Sequence, residues 1–157
     1  MARSNVRLDY DELKKLKEQV EQFGDPTQVD MFLTSCAKEL AARLLAKVIK
    51  RTPVGQYPKG SGKTGGTLRR GWTAGQNSNV KAYTDSLKVN KVGNDFVIEI
   101  INPVEYASYV EFGHRTRNHK GWVEGHFMLT ISEEEIRKSA PRILENKLKK
   151  YLKGCFS

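Results

Sequence analysis

Three histidines occur within one short polar stretch, where imidazole side chains could ligate a metal ion. They are His114, His119 and His126, and Glu111 and Glu124 lie nearby. Imidazole and carboxylate ligands suit zinc, nickel or iron. The spacings of five and seven residues match no ligand pattern, however, and basic residues lie between the histidines. The sequence therefore favours histidines that are ordinary surface residues, and it predicts no cofactor. The alternative is a metal-dependent enzyme that uses these histidines as ligands.

The run Gly60-Ser61-Gly62-Lys63-Thr64 resembles the end of a phosphate-binding loop. Such a loop follows a strand, has the pattern Gly-x-x-x-x-Gly-Lys-Ser/Thr, and opens a helix whose amides hold the phosphates. Here Tyr57 occupies the position of the first glycine, and the preceding pattern is helical. Because the context that defines the motif is missing, the sequence does not predict nucleotide binding.

The two cysteines offer no catalytic nucleophile. Cys36 falls on the apolar face of a helical pattern, and Cys155 lies near the end of the chain. A reactive thiolate needs a partly exposed, electropositive setting with a base in reach. Two distant cysteines also give neither a disulfide framework nor a zinc site. We expect free thiols, no catalytic residue and hence no enzyme.

Positive charge is concentrated in the middle of the chain. The formal net charge is +9, and residues 38–81 contain ten basic residues and one acidic residue. Such a segment can face a polyanion, or it can be a solvated or protein-contacting region. Aromatic residues are not interleaved with the basic ones as they are in single-strand binders, which favours the second interpretation. A basic DNA-binding module using residues 38–81 stays the alternative function.

The chain shows no signal for a membrane or for export. No run approaches the roughly 20 consecutive apolar residues of a membrane helix. The N-terminus lacks the apolar core of a signal peptide. We expect a single domain over residues 1–157, made in a cytoplasm and without membrane contact.

Capping signals and periodic apolar residues predict two helices in the first third of the chain. Asp9-x-x-Glu12 is a capping-box pattern that opens a short N-terminal helical arm within residues 1–24. Asp25 and Pro26 open a long second helix, because aspartate accepts from free amides and proline lacks an amide that would stay unpaired. Thr52-Pro53 ends it, since the residue before proline is disfavoured in the helical region. An unbroken apolar stripe marks its buried face: Val29, Phe32, Leu33, Cys36, Ala37, Leu40, Ala41, Leu44, Leu45 and Val48.

The middle of the chain is predicted to contain a loop and then strands. Residues 52–66 are rich in glycine and proline and are expected to form a mobile loop. Strands are predicted between residues 67 and 102, although residues 68–74 could also form a short helical turn. The turn residues Gly93-Asn94-Asp95 predict a hairpin whose stronger strand covers residues 96–101.

The last third is predicted to be mainly helical. Pro103 opens a short helical segment that Gly113 closes, and residues 113–125 are expected to form a second mobile loop. The capping box Ser132-x-x-Glu135 opens a C-terminal helix that is kinked or divided at Pro141. Together these patterns predict an α+β fold. Its long amphipathic helix packs on a small antiparallel β-sheet, with a short N-terminal helix and a C-terminal helix.

Two segments carry a resemblance to a known family. The first combines Thr52-Pro53-Val54 with Thr64-Gly65-Gly66-Thr67-Leu68-Arg69-Arg70-Gly71-Trp72. The second combines Tyr106-Ala107-Ser108-Tyr109-Val110-Glu111-Phe112-Gly113 with Gly125-His126-Phe127-Met128-Leu129. In this order, and with the predicted elements between them, they resemble the gene-product-ten-like tail-component family of long-tailed phages.

The resemblance implies a structural virion protein of the neck or head-proximal tail end. It implies tail completion or head–tail joining by a ring of subunits, commonly sixfold, stacked on the tail tube. The partners would be other neck and tail proteins, such as the connector or stopper, the tail tube and the tail terminator, with a passing contact to DNA. The chain would be made in the host cytoplasm and end up in the virion.

Two loops are predicted to serve as contact arms in such a ring, residues 52–66 and residues 113–125. Four motif residues are expected to be core anchors: Leu68, Trp72, Tyr109 and Phe112. The motif charges Arg69, Arg70 and Glu111 are expected to pair with each other or with a neighbouring subunit. The complete set of predicted assembly contacts is Tyr57, Lys59, Lys63, Thr64, Arg69, Arg70, Glu111, His114, Arg115, Arg117 and Trp122.

Overall fold

A computed structural model describes residues 24–75 and 79–155 of the chain. The N-terminal helical arm predicted within residues 1–24 therefore lies outside the described residues, apart from Gly24. The predicted α+β class is confirmed, because two long helices enclose a core to which short helices and small antiparallel sheets are added.

The predicted long helix forms as α1, Pro26–Arg51. The Asp25 carboxylate accepts a hydrogen bond from the Thr27 amide at 3.3 Å, and Pro26 lies in the first turn. The helix ends where Thr52 adopts an extended conformation before Pro53. Every residue of the predicted apolar stripe is buried. Capping and stripe are thus both confirmed.

The second long helix of the fold is Met128–Cys155, which we call α6 (the label α5 is not used). It runs antiparallel to α1. The Phe32 and Tyr151 rings stack 4.4 Å apart near one end of the pair, and Lys47 bonds to Glu135 at 2.8 Å near the other. The predicted capping box is wrong. The helix begins one turn earlier, and Ser132 lies inside it with its hydroxyl donating to the Met128 carbonyl at 2.6 Å.

Pro141 lies on the exposed side of α6 without dividing it, so the two-helix alternative is wrong. Proline costs a helix one backbone hydrogen bond and some strain. The neighbouring Ala140 and Leu144 are buried in the shared core. Their packing holds the helix together across the proline.

Between the long helices, the chain forms α2 (Thr67–Gly71), α3 (Val80–Ser86), β1 (Val89–Val92) and β2 (Asp95–Ile98). The predicted hairpin is confirmed, with Val89 opposite Ile98, although β2 is shorter than predicted. At α2 the helical turn given as the alternative for residues 68–74 is confirmed, whereas the strand prediction is wrong at α3. In α3, Val80, Tyr83 and Thr84 have helical spacing and turn inward together.

The next elements are α4 (Ala107–Phe112), β3 (Gly113–Arg115) and β4 (Trp122–Glu124). The prediction that Pro103 opens a helix is wrong, because buried Asn102 holds the preceding backbone in a turn. Its amide donates to the Leu68 carbonyl at 2.9 Å, and its oxygen accepts from the Val104 amide at 3.2 Å. The predicted polar loop 113–125 contains an antiparallel hairpin.

Candidate assembly surface

Exposed apolar side chains are concentrated at one end of the α1–α6 pair. Eleven large hydrophobic side chains are exposed among the described residues, and nine of them lie in or beside loop 52–66, α4, the β3–β4 hairpin and the first turn of α6. Scattered exposed hydrophobics are ordinary, but a contiguous group marks an interaction site. We call this group the aromatic face: Val54, Tyr57, Tyr106, Tyr109, Phe112, Trp122, Val123, Phe127 and Ile131.

Side-chain contacts make the aromatic face continuous. The Phe112 and Phe127 rings meet edge to face with their centroids 6.5 Å apart, which joins α4 to the start of α6. Tyr109 lies 5.7 Å from the His114 ring on the hairpin. At the other side, Tyr57 and Tyr106 line a shared cleft of about 240 Å³. The loop, the helix and the hairpin therefore present one surface.

Two of the four predicted core anchors lie on this surface instead. Leu68 and Trp72 are buried, as predicted, at 4% and 1% exposure. Tyr109 and Phe112 are each 58% exposed, so their assignment to the core is wrong. Helix α4 has only six residues, and its inward side is taken by Ala107 and by the Glu111 side chain.

Glu111 is buried and closes the N-terminus of α6 from another element. Its carboxylate accepts from the Leu129 and Thr130 amides, both at 2.9 Å, and from the Thr130 hydroxyl at 2.8 Å. A helix N-terminus has amides without intrahelical partners and favours negative charge. Glu111 is thus an internal cap that fixes α4 to α6, and the prediction that it is a surface contact does not fit its 3% exposure.

Two glycines allow the hairpin to close against α4. Gly113 has a φ of 86°, and a Cβ there would lie 2.5 Å from the Val123 carbonyl oxygen. A Cβ at Gly125 would overlap the Glu111 carbonyl oxygen. Phe127 follows with a φ of 46°, a region that bulky residues rarely occupy. Its amide donates to the Glu111 carbonyl at 3.0 Å, so the backbone beneath the face is held in place.

The first family segment supports loop 52–66 in the same way. The Thr52 hydroxyl donates to the Val48 carbonyl at 2.6 Å and accepts from the Trp72 indole at 2.8 Å. Arg69 donates to the Thr52 carbonyl at 2.7 Å, and Arg70 donates to the Gly65 carbonyl at 3.2 Å. Of the two pairings expected for Arg69, Arg70 and Glu111, pairing with each other is therefore wrong, and pairing with a neighbouring subunit stays a prediction. Both arginines hold the base of the loop.

The other predicted contacts lie on or around the aromatic face. All eight are exposed: Tyr57, Lys59, Lys63, Thr64, His114, Arg115, Arg117 and Trp122. The Lys63 ammonium lies 5.8 Å from the centre of the Tyr57 ring. Sequence reasoning missed Tyr106, Phe127 and Ile131. One signal in the sequence could have revealed them. The short α4 is flanked by more large apolar residues than one side of a six-residue helix can bury, so some of them must be exposed.

The cysteine and histidine side chains considered as candidates for catalysis or metal binding do not form a site in the described part of the chain. Burial raises the pKa of the Cys36 thiol to about 12, which keeps it protonated and unreactive. All three histidines are exposed, and His119 lies in a turn of the hairpin. Within residues 24–75 and 79–155, no group of three or more His, Cys, Asp or Glu residues is placed to hold a metal ion. None of the helices described there has the length and apolar content to span a membrane.

A continuous aromatic surface on a tightly held scaffold is typical of proteins that assemble with other proteins. The family comparison agrees with that class. Residues 14–113 match the family described as "Bacteriophage HK97-gp10, putative tail-component", and the chain belongs to this family. It is a structural component of a phage tail and thus of the virion. No curated protein and no solved structure matches the chain.

Proposed function

We propose that this chain is a virion assembly protein of the neck or head-proximal tail end, where it completes the tail or joins it to the head as one subunit of a ring. The aromatic face is the observation that carries the proposal. We treat residues 1–157 as one domain, with residues 52–66 and 113–125 as the arms that reach neighbouring subunits.

The size of the aromatic face is appropriate for a subunit contact. An aromatic side chain has about 150–250 Å² of surface. Six half-exposed aromatic residues therefore offer roughly 600 Å² before polar neighbours are added. A standard protein interface uses about 800 Å² on each partner. Tyr and Trp are also the residues most often found to dominate binding energy.

The rim of the face is basic, which favours an acidic partner surface. Lys59, Lys63, Arg115 and Arg117 are exposed on the two loops that carry Tyr57 and Trp122, where they outnumber the exposed carboxylates Glu105 and Glu124. Rim charges contribute mainly to orientation and association rate, whereas buried aromatic anchors contribute most of the affinity. Neighbouring subunits, the connector or stopper, the tail tube and the tail terminator are the proposed partners.

The test is to disrupt the gene in its phage or prophage, induce it, and examine the lysate by electron microscopy. We expect filled heads separate from tails, or tails with an aberrant head-proximal end, because the joining surface is missing. Wild-type protein supplied from a plasmid should restore complete particles. Normal infectious particles without the gene would contradict the proposal.

A further inference from the structure

A long groove between α1 and α6 has no role in the proposed assembly contacts. It consists of two adjoining hollows of about 740 and 760 Å³, which share Glu39, Arg43, Ala46 and Lys147. Helix α3 closes one side of it. Seven cationic and two anionic side chains line the hollows. The cations are Lys38, Arg43, Lys47, Lys81, Arg142, Lys147 and Lys150, and we call this feature the basic groove.

Ion pairs neutralise only part of this charge. Glu39 bonds to Arg43 at 3.2 Å and to Lys147 at 2.8 Å. Partial burial works to raise the pKa of Glu39, but the hydrogen bonds and charges of Lys147 and Arg43 outweigh it and lower that pKa. Lys47 bonds to Glu135 at 2.8 Å. No carboxylate in the described part of the chain pairs with Lys81, Arg142 or Lys150.

The groove lacks the anchors that a protein partner would need. None of the eleven exposed large hydrophobic side chains lies in it. Its α1 wall has small Ala42 and Ala46 between the long basic side chains. Protein interfaces depend on buried aromatic or aliphatic anchors. Phosphate backbones are bound by lysine and arginine alone, without sequence readout.

The dimensions of the groove also suit a nucleic-acid backbone. From Lys38 to Lys47 along α1 is nine residues, or about 14 Å at the helical rise of 1.5 Å. Duplex DNA carries a phosphate on each strand about every 3.4 Å, so roughly four base pairs face that length. The unpaired cations lie on two other helices, α3 and α6, and so can follow a backbone from both sides.

We propose that the basic groove binds the phosphate backbone of duplex DNA without reading its sequence. This differs from a DNA-binding module made of residues 38–81, because the fold divides that segment. Arg69 and Arg70 bond to backbone carbonyls, and Lys63 lies beside Tyr57 of the aromatic face. The groove takes its free cations largely from α6. The inference does not depend on the proposed joining role.

The experiment uses the full-length protein and a fluorescent 20-base-pair duplex, with anisotropy measured over a series of salt concentrations. The test variant replaces Lys81, Arg142 and Lys150 with serine. The matched control replaces Lys88, Lys120 and Lys153, which are exposed cations outside the groove, and loses the same charge. We expect the test variant to bind at least tenfold more weakly, with a salt slope smaller by about 0.9 per lost phosphate contact.

The control should bind DNA like the wild type. Equal weakening of both variants would overturn the proposal, because it would show a net-charge effect without a site. Tighter binding of the wild type to polyglutamate than to DNA, lost in the test variant, would also overturn it by showing that an acidic protein segment occupies the groove. Circular-dichroism melting of both variants checks the fold, which exposed substitutions should leave unchanged.

Discussion

The aromatic face and the basic groove are built on the same helix pair but suit different kinds of contact. The face lies over capped and glycine-closed backbone, with Glu111, Thr52 and Gly113 holding its elements together. The groove displays long charged side chains on the outside of helices. A preorganised apolar surface favours one geometry of partner, whereas flexible cations accept a backbone in many registers.

The difference gives a role to the two buried polar residues of the family segments, Thr52 and Glu111. In the second segment, Glu111 caps α6 from beneath Phe112 and Phe127. In the first, Thr52 joins Trp72 and Arg69 under the loop that presents Tyr57. These residues position the face without forming part of it.

The two tryptophans provide the largest expected contrast in stability. Trp72→Ala should lower the free energy of unfolding by about 3–5 kcal/mol, because it leaves a core cavity and frees the Thr52 hydroxyl. Trp122 is 56% exposed, and Trp122→Ala should change stability by less than about 0.5 kcal/mol. Thermal melting of both variants measures the contrast. Equal melting temperatures would contradict the separation between an exposed face, which contains Trp122, and a buried core, which contains Trp72.

Glu111→Ala should lower the free energy of unfolding by about 2–4 kcal/mol, since it removes a helix cap and leaves the buried Leu129 amide unsatisfied. Urea unfolding of this variant measures the loss. Glu105→Ala is the matched control, because it removes an exposed carboxylate just before α4. A loss of the same size in both variants would mean that the cap does not link α4 to α6.

Replacing Glu135, which lies near one end of the basic groove, should have a smaller effect on stability, and that effect should depend on pH. Hydrogen bonds from Arg51 and then Lys47 lower the pKa of Glu135 from 4.5 to about 2. A carboxyl whose pKa is lower in the folded state stabilises the fold above its ordinary pKa, and this contribution is lost as the pH falls through the folded value. Glu135→Gln should therefore lower the melting temperature at neutral pH.

The difference between Glu135→Gln and wild type should shrink as the pH is lowered from about 4.5 towards 2, the interval between the two pKa values. Melting curves over that range provide the measurement. Glu134→Gln, which changes an exposed neighbour on α6, is the control. A difference that stayed constant with pH would exclude the ion pairs as its cause.

Local signals in the sequence were sufficient for α1 and for the β1–β2 hairpin. Asp25-Pro26 and the apolar stripe predict the bounds and the buried face of α1 from neighbouring residues alone. Local signals were insufficient where the structure of a segment depends on residues far away in the sequence. The start of α6 depends on a carboxylate from α4, so the local pattern Ser132-x-x-Glu135 suggested a boundary about one turn too late.

The same limit applied to the candidate surface. Exposed Tyr57 and Trp122 were predicted from their loops, but Tyr109 and Phe112 resembled core residues. Whether an aromatic residue beside a short helix is buried depends on which neighbour fills the inward side, and here that neighbour is Glu111. The basic groove was hidden for a related reason, because its free cations belong to segments far apart in the chain.

The central claim is that the aromatic face carries assembly, and rescue of the gene-disrupted phage tests it most directly. Phe112→Ser with Trp122→Ser is compared with Met31→Ser and Val92→Ser, which change two hydrophobics that are 68% and 53% exposed elsewhere. We predict that the first pair yields stable protein but no joined particles, while the second restores the wild-type titre. Full rescue by the first pair would contradict the account.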